Sequence, residues 1–380
     1  MAAMDFPNSP TDGQLYTPTN GATYQWSASG SRWILKPIGQ QFLPLSGGTM
    51  TGDIVLAADA NAALEATTKQ QMDAADTASA QATMSAEDNL LVNGGFDIAQ
   101  RGTSFPVSGG ASVKTLDRWT VYGAAGNTLA VFQATQAVGT VGAGDHVVNL
   151  IGVQRTVTGS ADPQLYQAIE NVRTAEGQTI TVSFLVNSTV SGTLGCSVAQ
   201  YFGTGGAPSA SVLVNQTFTV AAASTYERKI LTFSVPSISG KTLGTNNDHS
   251  LQLMFFISTA RGNGTFYFGN IDLRLGTIAP AQFLRRPVQE ELALCQRYYQ
   301  TLSSLIHSGY STAGAAFWID RPFQTAMRAT PTTTFNSITY NNASALGAGT
   351  VTPTHANIQL TITATGYGSV QYGMTMDAEL

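Results

Sequence analysis

The residue types that most often do chemistry are present in this chain of 380 residues, but not in catalytic spacings. The four histidines are His146, His249, His307 and His355. They are scattered, with neither H-x-x-x-H spacing nor a cysteine partner, so the usual zinc sites are not expected. No Gly-x-Ser-x-Gly elbow is present, and "GTGGAP" at 203–208 lacks the Lys-Ser/Thr of a phosphate-binding loop.

Paired carboxylates are the other catalytic arrangement to consider, because glycoside hydrolysis needs two of them about 5 to 10 Å apart. The candidates in the central region are Asp97, Asp117, Asp145, Asp162, Glu170, Glu176, Glu227, Asp248 and Asp272. The sequence does not determine which of them converge, and turn caps or solvated groups are their commoner roles. We therefore expect no enzyme.

Aromatic residues that stand outside the alternating core pattern are better candidates for a binding site. Exposed rings stack on pyranose rings, while Asn, Asp, Gln and Arg side chains bond the sugar hydroxyls. The candidates are Tyr122, Tyr166, Tyr201, Phe202 and Tyr226 in the central region, and Tyr310, Trp318, Tyr340, Tyr367 and Tyr372 in the last eighty residues. Partial burial in the core is the alternative for each. For the cluster Asp117-Arg118-Trp119 we expect a buried Arg–carboxylate pair against the indole rather than an exposed receptor clamp.

Composition indicates a mostly β protein. Charged residues make up only 11% of the chain while hydrophobic residues make up 43%, which argues against disorder, and Gly, Ser, Thr and Val are abundant. Sparse charge also suggests that surface is buried against other subunits. The net charge of −5 and the lack of a basic cluster argue against nucleic-acid binding.

The cysteines and the apolar runs bear on the cell compartment. Cys196 and Cys295 are 99 residues apart and match no metal spacing, so we expect free thiols made in a reducing cytoplasm. The first residues lack the basic and apolar regions of a secretory signal, and no run approaches 18 apolar residues. No membrane insertion is expected.

Five regions follow one another along the chain. Residues 1–37 predict a small sheet of three short strands, with Asn20-Gly21 as a hairpin turn, that is too small to hold a core without a partner. Within 38–88, residues 42–56 predict a β segment and 61–87 a helix with a narrow seam of small residues. That helix is either a surface linker or, as we favour, part of a parallel self-associated bundle.

Residues 89–284 alternate in the manner of a two-sheet sandwich, as in "TITVSFLVN" and "LQLMFFIS". We expect a first strand over Leu90–Val92, a turn at Asn93-Gly94-Gly95, and a bulge at Gly269-Asn270 that returns Leu275 to the inner face. Residues 285–300 predict a connecting helix and 301–380 a second, smaller β domain.

Several stretches resemble segments of tailed-phage tail fibres. These are "FPNSPTDGQLYTPTNGATYQWSASGSRW", "FLPLSGGTMTGDIVLAADANAALEATTKQQMD", "NLLVNGGFDIAQRGTSF", and "RRPVQEELALCQRYYQ" with the later "FWIDRPFQTAMRATPTTTF" and "DAEL". Together they cover about half of the chain, in an order that fits. The resemblance implies a homotrimeric, non-enzymatic virion fibre with an N-terminal attachment module in 1–37, a helical trimeric neck, a carbohydrate-binding-like jelly roll and a small C-terminal β domain.

The same resemblance implies partners and one metal. Residues 1–37 would contact other virion proteins, and the distal β domains would bind host cell-surface polysaccharide. Alternatives are a head or collar fibre that decorates the capsid, and a polysaccharide-degrading tailspike. Jelly rolls of this kind often hold a structural calcium, for which Asp97 and Asp272 match the expected places; no other cofactor is expected.

Overall fold

The computed structural model describes residues 6–18, 22–36, 69–136, 149–222 and 226–380. The predicted turn at Asn20-Gly21, the β segment at 42–56 and the first part of the predicted helix, 61–68, lie outside the described residues. The chain divides into two compact units, Met1–Met72 and Asp73–Leu380.

The first unit contains a small antiparallel sheet with an aromatic face. Its strands are β1 (Leu15–Tyr16), β2 (Thr23–Ser27) and β3 (Arg32–Lys36), in the order β1-β2-β3. Phe6 packs over one face, with its ring centroid 5.2 to 5.6 Å from those of Tyr16, Tyr24 and Trp33. The opposite face carries Leu15 and Ile34, which are exposed.

The helix α1 runs over Lys69–Ala82 and buries none of its residues. A short 3₁₀ helix, Ala86–Asp88, follows it. No helix of the described residues is long and apolar enough to cross a membrane.

A jelly-roll sandwich of two six-stranded antiparallel sheets follows. The first sheet consists of β4 (Ser104–Ser108), β7 (Thr128–Thr135), β8 (Asn149–Val157), β10 (Thr179–Ser188), β13 (Glu227–Ser234) and β15 (Gly264–Leu275), in the order β13-β10-β15-β8-β7-β4. The second consists of β5 (Ser112–Lys114), β6 (Thr120–Tyr122), β9 (Gln164–Glu170), β11 (Gly192–Tyr201), β12 (Val212–Val220) and β14 (Ser250–Phe256), in the order β12-β11-β14-β9-β6-β5. The mostly-β prediction is confirmed.

The core lies between these sheets, where alternate residues of each strand point inward. The predicted inward sets are buried, including Ile180, Val182, Phe184 and Val186 on β10 and Leu251, Leu253 and Phe255 on β14. The bulge is confirmed, because the register between β10 and β15 shifts after Ser183 and Asn270 has a φ of 48°. Leu275 was wrongly placed inward: it is 48% exposed at the end of β15.

The predicted first strand at Leu90–Val92 is wrong, since the chain from 89 to 102 is irregular although largely buried. Side-chain bonds replace the ladder: Asn89 accepts a hydrogen bond from the Leu273 N–H (3.0 Å) and donates to the Ile271 carbonyl oxygen (3.2 Å). The Ile271 N–H donates to the Gly94 carbonyl at 2.9 Å. This buried opening segment, residues 89–102, therefore packs along β15 as a bonded loop.

The last part of the chain is a smaller sandwich introduced by the helix α2 (Val288–Gln296). One sheet has β16 (Tyr299–Ser311), β18 (Thr332–Asn341) and β21 (Gly366–Asp377), in the order β16-β21-β18. The other has β17 (Ala316–Pro322), β19 (Ala343–Val351) and β20 (His355–Ile362), in the order β17-β20-β19. A separate core of Ile358, Leu360, Val370, Met374 and neighbouring residues lies between them.

Candidate functional site

The strand register brings three of the predicted tyrosines onto one surface. In the second sheet, Tyr122 pairs with Gln164, and Tyr166 lies two residues further along β9. Tyr201 pairs with Ser250, which pairs with Glu170, so these three residues form one row across the strands. Glu170 lies four residues after Tyr166 on β9. Because residues two apart on a strand share a face, all three tyrosines lie on the outer face of this sheet, opposite the core. We call this surface the tyrosine face.

Two further rows show what surrounds the tyrosines. One row consists of Tyr122, Gln164, Phe256, Gly195 and Thr217, and the next of Thr120, Tyr166, Met254, Ser197 and Asn215. Among the described residues, none forms a hydrogen bond with the hydroxyl of Tyr122, Tyr166 or Tyr201. The face therefore combines half-buried rings with free hydroxyls and amides, which suits a ligand with both apolar faces and hydroxyl groups.

Phe256 and its neighbours were missed at the level of sequence, although a signal was present. The alternation of "LQLMFFIS" places Leu251, Leu253 and Phe255 inward, which leaves Met254 and Phe256 outward. Gly195 lies beside Phe256, where an added Cβ would approach the Phe256 Cβ to 3.1 Å. The glycine thus leaves room for the ring to lie close to the sheet.

The other predicted aromatic residue of the large sandwich lies elsewhere. Tyr226 is carried by the first sheet, where it packs against Leu150 and Leu185. Its hydroxyl accepts a hydrogen bond from Gln136 (2.9 Å), and burial raises the pKa of Tyr226 to about 12. Phe202 is buried in the structure, so it is not a surface contact.

The C-terminal sandwich carries aromatic side chains on both outer faces. Tyr310 and Tyr367 pair across β16 and β21, are 64% and 78% exposed, and have ring centroids 5.5 Å apart. Trp318 stands on β17 in the other sheet and is 51% exposed. Its ring lies over Gly349, where an added Cβ would come within 2.5 Å of Trp318 Cζ3.

Two predicted residues of this domain have structural contacts. The Tyr340 hydroxyl accepts a hydrogen bond from the Leu346 N–H (3.1 Å), which ties β18 to β19 across the edge of the sandwich. Tyr372 is only 1% exposed, because it alternates with Val370 and Met374 on the inner side of β21. Tyr372 is therefore a core residue and not a contact.

The predicted calcium ligands do not fit a cation site. Asp97 is bonded by Arg285 (2.5 Å) and by the Asn149 amide (2.9 Å), and Asp272 is bonded at both oxygens by Arg274 (2.7 and 2.9 Å). A guanidinium beside each carboxylate already neutralises it, whereas calcium takes six to eight oxygen ligands. Among the described residues, no group of three His, Cys, Asp or Glu could hold a metal ion.

The Asp117-Arg118-Trp119 cluster is buried as expected, but its partners differ from those predicted. Arg118 pairs with Glu379, and its guanidinium lies 3.3 Å from the ring centroid of Tyr298. Asp117 instead accepts two hydrogen bonds of 2.6 Å from Gln100. Burial raises the pKa of Asp117, but this carboxyl is 1% exposed and is held by those two bonds.

The remaining described carboxylates of the central region are also engaged. Asp162, Glu176, Glu227 and Asp248 each accept a hydrogen bond from a backbone N–H or a side chain. Asp145 lies outside the described residues. Glu170 is the single carboxylate at an outward position of the tyrosine face. Burial acts to raise its pKa, but hydrogen bonds from Arg297 and Tyr298 hold that pKa below its ordinary value.

Comparison with known proteins gives only distant likenesses. Neither a protein-family model nor a curated protein sequence matches the chain. Among solved structures, the chain is similar to the enzymatically active domain of tailspike protein 4 of bacteriophage CBA120, with 13% identity and a TM-score of 0.32 over 51% of this chain and 22% of that one. It spans less than a quarter of that tailspike chain.

Carbohydrate-binding modules are also similar. A family 11 module from Clostridium thermocellum, in complex with a β-1,3-1,4-mixed-linked tetrasaccharide, is 15% identical with a TM-score of 0.29, covering 47% of this chain and 98% of the module. A xylan-binding domain from Paenibacillus barcinonensis is 13% identical with a TM-score of 0.29, covering 52% of this chain and 100% of that domain. At TM-scores this low, a likeness establishes no shared function.

Proposed function

We propose that this chain is a non-enzymatic structural fibre protein of a tailed phage that binds host surface carbohydrate. The observation that carries the binding proposal is the placement of Tyr122, Tyr166 and Tyr201 with Phe256 on one face of one sheet. The virion assignment rests on the resemblance of the four sequence stretches to tail fibres. The tyrosine face is the principal binding surface.

The dimensions of the face suit an oligosaccharide. Tyr166 and Tyr201 are separated by four residues along the strand direction and by two strands, which corresponds to roughly 17 Å from standard strand spacings. A chain of several sugar rings would span that distance. Gln164, Gln252 and Asn215 project from the same face and offer both donors and acceptors to hydroxyl groups.

The C-terminal sandwich supplies a second set of contacts in this proposal. Tyr310 and Trp318 stand on its two opposite outer faces, so one glycan chain would meet only one of them. Near Trp318, Asp320 accepts a hydrogen bond from Asn357 (2.7 Å) and gives a polar edge beside the indole. Tyr340, which bonds Leu346, contributes less.

A polysaccharide-degrading tailspike is the alternative from another class. Retaining and inverting glycosidases both need two carboxylates that flank the scissile bond. Glu170 alone occupies an outward position on the tyrosine face, and Arg297 bonds both of its oxygens at 3.1 and 3.0 Å. This arrangement supports binding without cleavage. A head or collar fibre is the alternative within the structural class, and it shares the same binding surface.

Self-association into a homotrimer is part of the proposal. The helix α1 buries none of its residues within one chain, and Ala75, Ala78 and Ala82 form a seam of small side chains along it. A helix with so little apolar surface is not stable alone, and a parallel bundle would cover the seam. Residues 1–37 would then attach the fibre to other virion proteins.

Replacement of single tyrosines tests the binding proposal. Tyr166→Ala should weaken binding to host polysaccharide by about tenfold or more, because it removes a ring at the centre of the face. Tyr226→Ala, in which the tyrosine belongs to the other sheet, is the matched control and should bind as the parent does. Affinity is measured by titration calorimetry on full-length protein. Equal binding by the two variants would refute the assignment of this face, and release of reducing ends would establish the enzyme.

A further inference from the structure

A polar pocket lies at one end of the tyrosine face. Its volume is about 290 Å³, and the large sandwich contributes Glu170, Asn171, Asn247 and His249 to its wall. Arg297, Arg328 and Leu380 come from the C-terminal part of the chain. Glu170 shares a row with Ser250 and Tyr201, so the pocket begins where the row of aromatic side chains ends.

The charges around the pocket favour an anion. The guanidinium of Arg297 is bonded to both oxygens of Glu170, so these two charges compensate each other. Arg328 donates through Nε to the Ala378 carbonyl (3.1 Å), and its charge helps to lower the pKa of Glu170. The wall therefore holds two guanidinium groups against the one side-chain carboxylate of Glu170, which leaves a positive charge for a ligand.

The neutral groups of the wall can also donate hydrogen bonds. His249 Nδ1 accepts from the Val172 N–H (3.2 Å), so in the neutral ring Nε2 carries the proton. The amides of Asn171 and Asn247 add further donors at the same wall.

We propose that this pocket binds the carboxylate of an acidic sugar, so that the glycan on the tyrosine face is a uronic-acid or sialic-acid polysaccharide. A sugar stacked near Tyr201 would direct a substituent towards Glu170 and the pocket behind it. A guanidinium with two free nitrogens matches a carboxylate in a planar, bidentate geometry that a neutral sugar cannot reproduce. This inference rests on the proposed carbohydrate-binding function and names its ligand class.

The test uses the full chain and paired glycans that differ only in charge. Arrayed uronic-acid and sialic-acid oligosaccharides are compared with their own methyl esters, which keep the shape and remove the charge. We expect the free acids to bind about tenfold more tightly than the esters. Arg328→Gln and Asn247→Asp should each remove this preference, so that the free acids bind no more tightly than the esters. Arg173→Gln, an exposed arginine of the same region outside the pocket wall, is the control and should keep the preference.

The possible outcomes separate the two proposals. If no glycan is bound by the parent protein, both the proposed function and this inference fail. If acids and esters bind equally, the inference fails and the carbohydrate-binding function stands. An acid preference that survives both Arg328→Gln and Asn247→Asp would also overturn the pocket assignment. An unchanged melting temperature shows that each variant is folded, and Asn247→Asp keeps the side-chain shape if Arg328→Gln disturbs the contact with Ala378.

Discussion

Gly94 is the point at which the opening segment touches β15, and its replacement by alanine should destabilise the large sandwich. A Cβ at this position would lie 2.1 Å from the carbonyl oxygen of Ile271 and 3.2 Å from the carbonyl carbon. The first distance is far below 3.0 Å, the shortest contact that Cβ atoms normally make. Both atoms belong to the backbone of a strand that pairs with β10, so neither can rotate away. The opening segment must therefore move.

The cost of that movement follows from the bonds it breaks. The hydrogen bonds from Ile271 to Gly94 and from Leu90 to Leu273 are both 2.9 Å long. Their loss would cost about 1 kcal/mol each, and overpacking adds about 1 to 3 kcal/mol. We expect the free energy of unfolding to fall by about 3 to 5 kcal/mol and the melting temperature by roughly 10 °C.

Differential scanning calorimetry of matched alanine variants measures this effect. Gly347 on β19 is the control, because no atom lies within 4 Å of the position a Cβ would take there. Neither glycine has the positive φ that would itself oppose alanine. Gly347→Ala should melt within about 1 °C of the parent, since surface substitutions are nearly neutral. If the Gly94→Ala and Gly347→Ala variants had the same melting temperature, the close approach of Gly94 to Ile271 would not be a source of stability.

Three further predictions concern buried groups. His307 is 2% exposed, neither ring nitrogen has a hydrogen-bond partner among the described residues, and burial lowers its pKa below 6.5. The ring is neutral in both states above that value, and below it the unfolded chain binds a proton that the folded domain resists. The midpoint of denaturation should therefore decrease as the pH is lowered from about 8 to about 5.5. A His307→Phe variant whose midpoint decreased by the same amount would contradict this. Cys196 and Cys295 are buried and burial raises both thiol pKa values, so a thiol reagent should label them only in denaturant; native labelling would show that they open. Glu379→Ala leaves the buried Arg118 without its carboxylate and should cost about 3 to 5 kcal/mol in urea unfolding, whereas a loss below about 1 kcal/mol would show that the pair is dispensable.

Local alternation carries most of the fold information in this chain. The inward residues of β10 and β14 follow from a period of two, and so does the burial of Tyr372, which alternates with Val370 and Met374. The same period assigns Phe256 to the outer face. Tyr372 and Phe202 were wrongly predicted to be surface contacts. That prediction used their residue type and not their position in the inward–outward alternation of the strand.

The grouping of the tyrosines could not be predicted in the same way. Tyr122, Tyr166 and Tyr201 share a face only because β6 pairs with β9, β9 with β14 and β14 with β11. These pairings join strands up to about ninety residues apart in the printed sequence, and nothing local specifies them. The alternation within a strand shows which of its residues share a side. Only the pairing of the strands shows which residues of other strands lie on that same side.

Charge partners are even less local. The expected partner of Arg118 was its neighbour Asp117, but the two residues lie in a turn closed by a hydrogen bond from the Trp119 N–H to the Leu116 carbonyl, and Arg118 there has a φ of 70°. Arg118 instead pairs with Glu379, which is 261 positions away, and Arg297 pairs with Glu170 across 127 positions. Each of these pairs joins a residue of the large sandwich to a residue that follows it in the C-terminal part of the chain.

These distant pairs connect the candidate site to the C-terminal sandwich. Glu170 belongs to a row of the tyrosine face, and the arginine that holds it follows directly after α2. The Arg297–Glu170 pair is more than a third exposed on both sides and therefore contributes little to stability. Other contacts also join the two parts, among them the buried Arg118–Glu379 pair, the Arg101–Asp377 pair and the hydrogen bond from Gln100 to the Tyr299 carbonyl. These contacts hold the C-terminal sandwich against the large one, and under the proposed function the Arg297–Glu170 pair lies where a bound glycan would meet both.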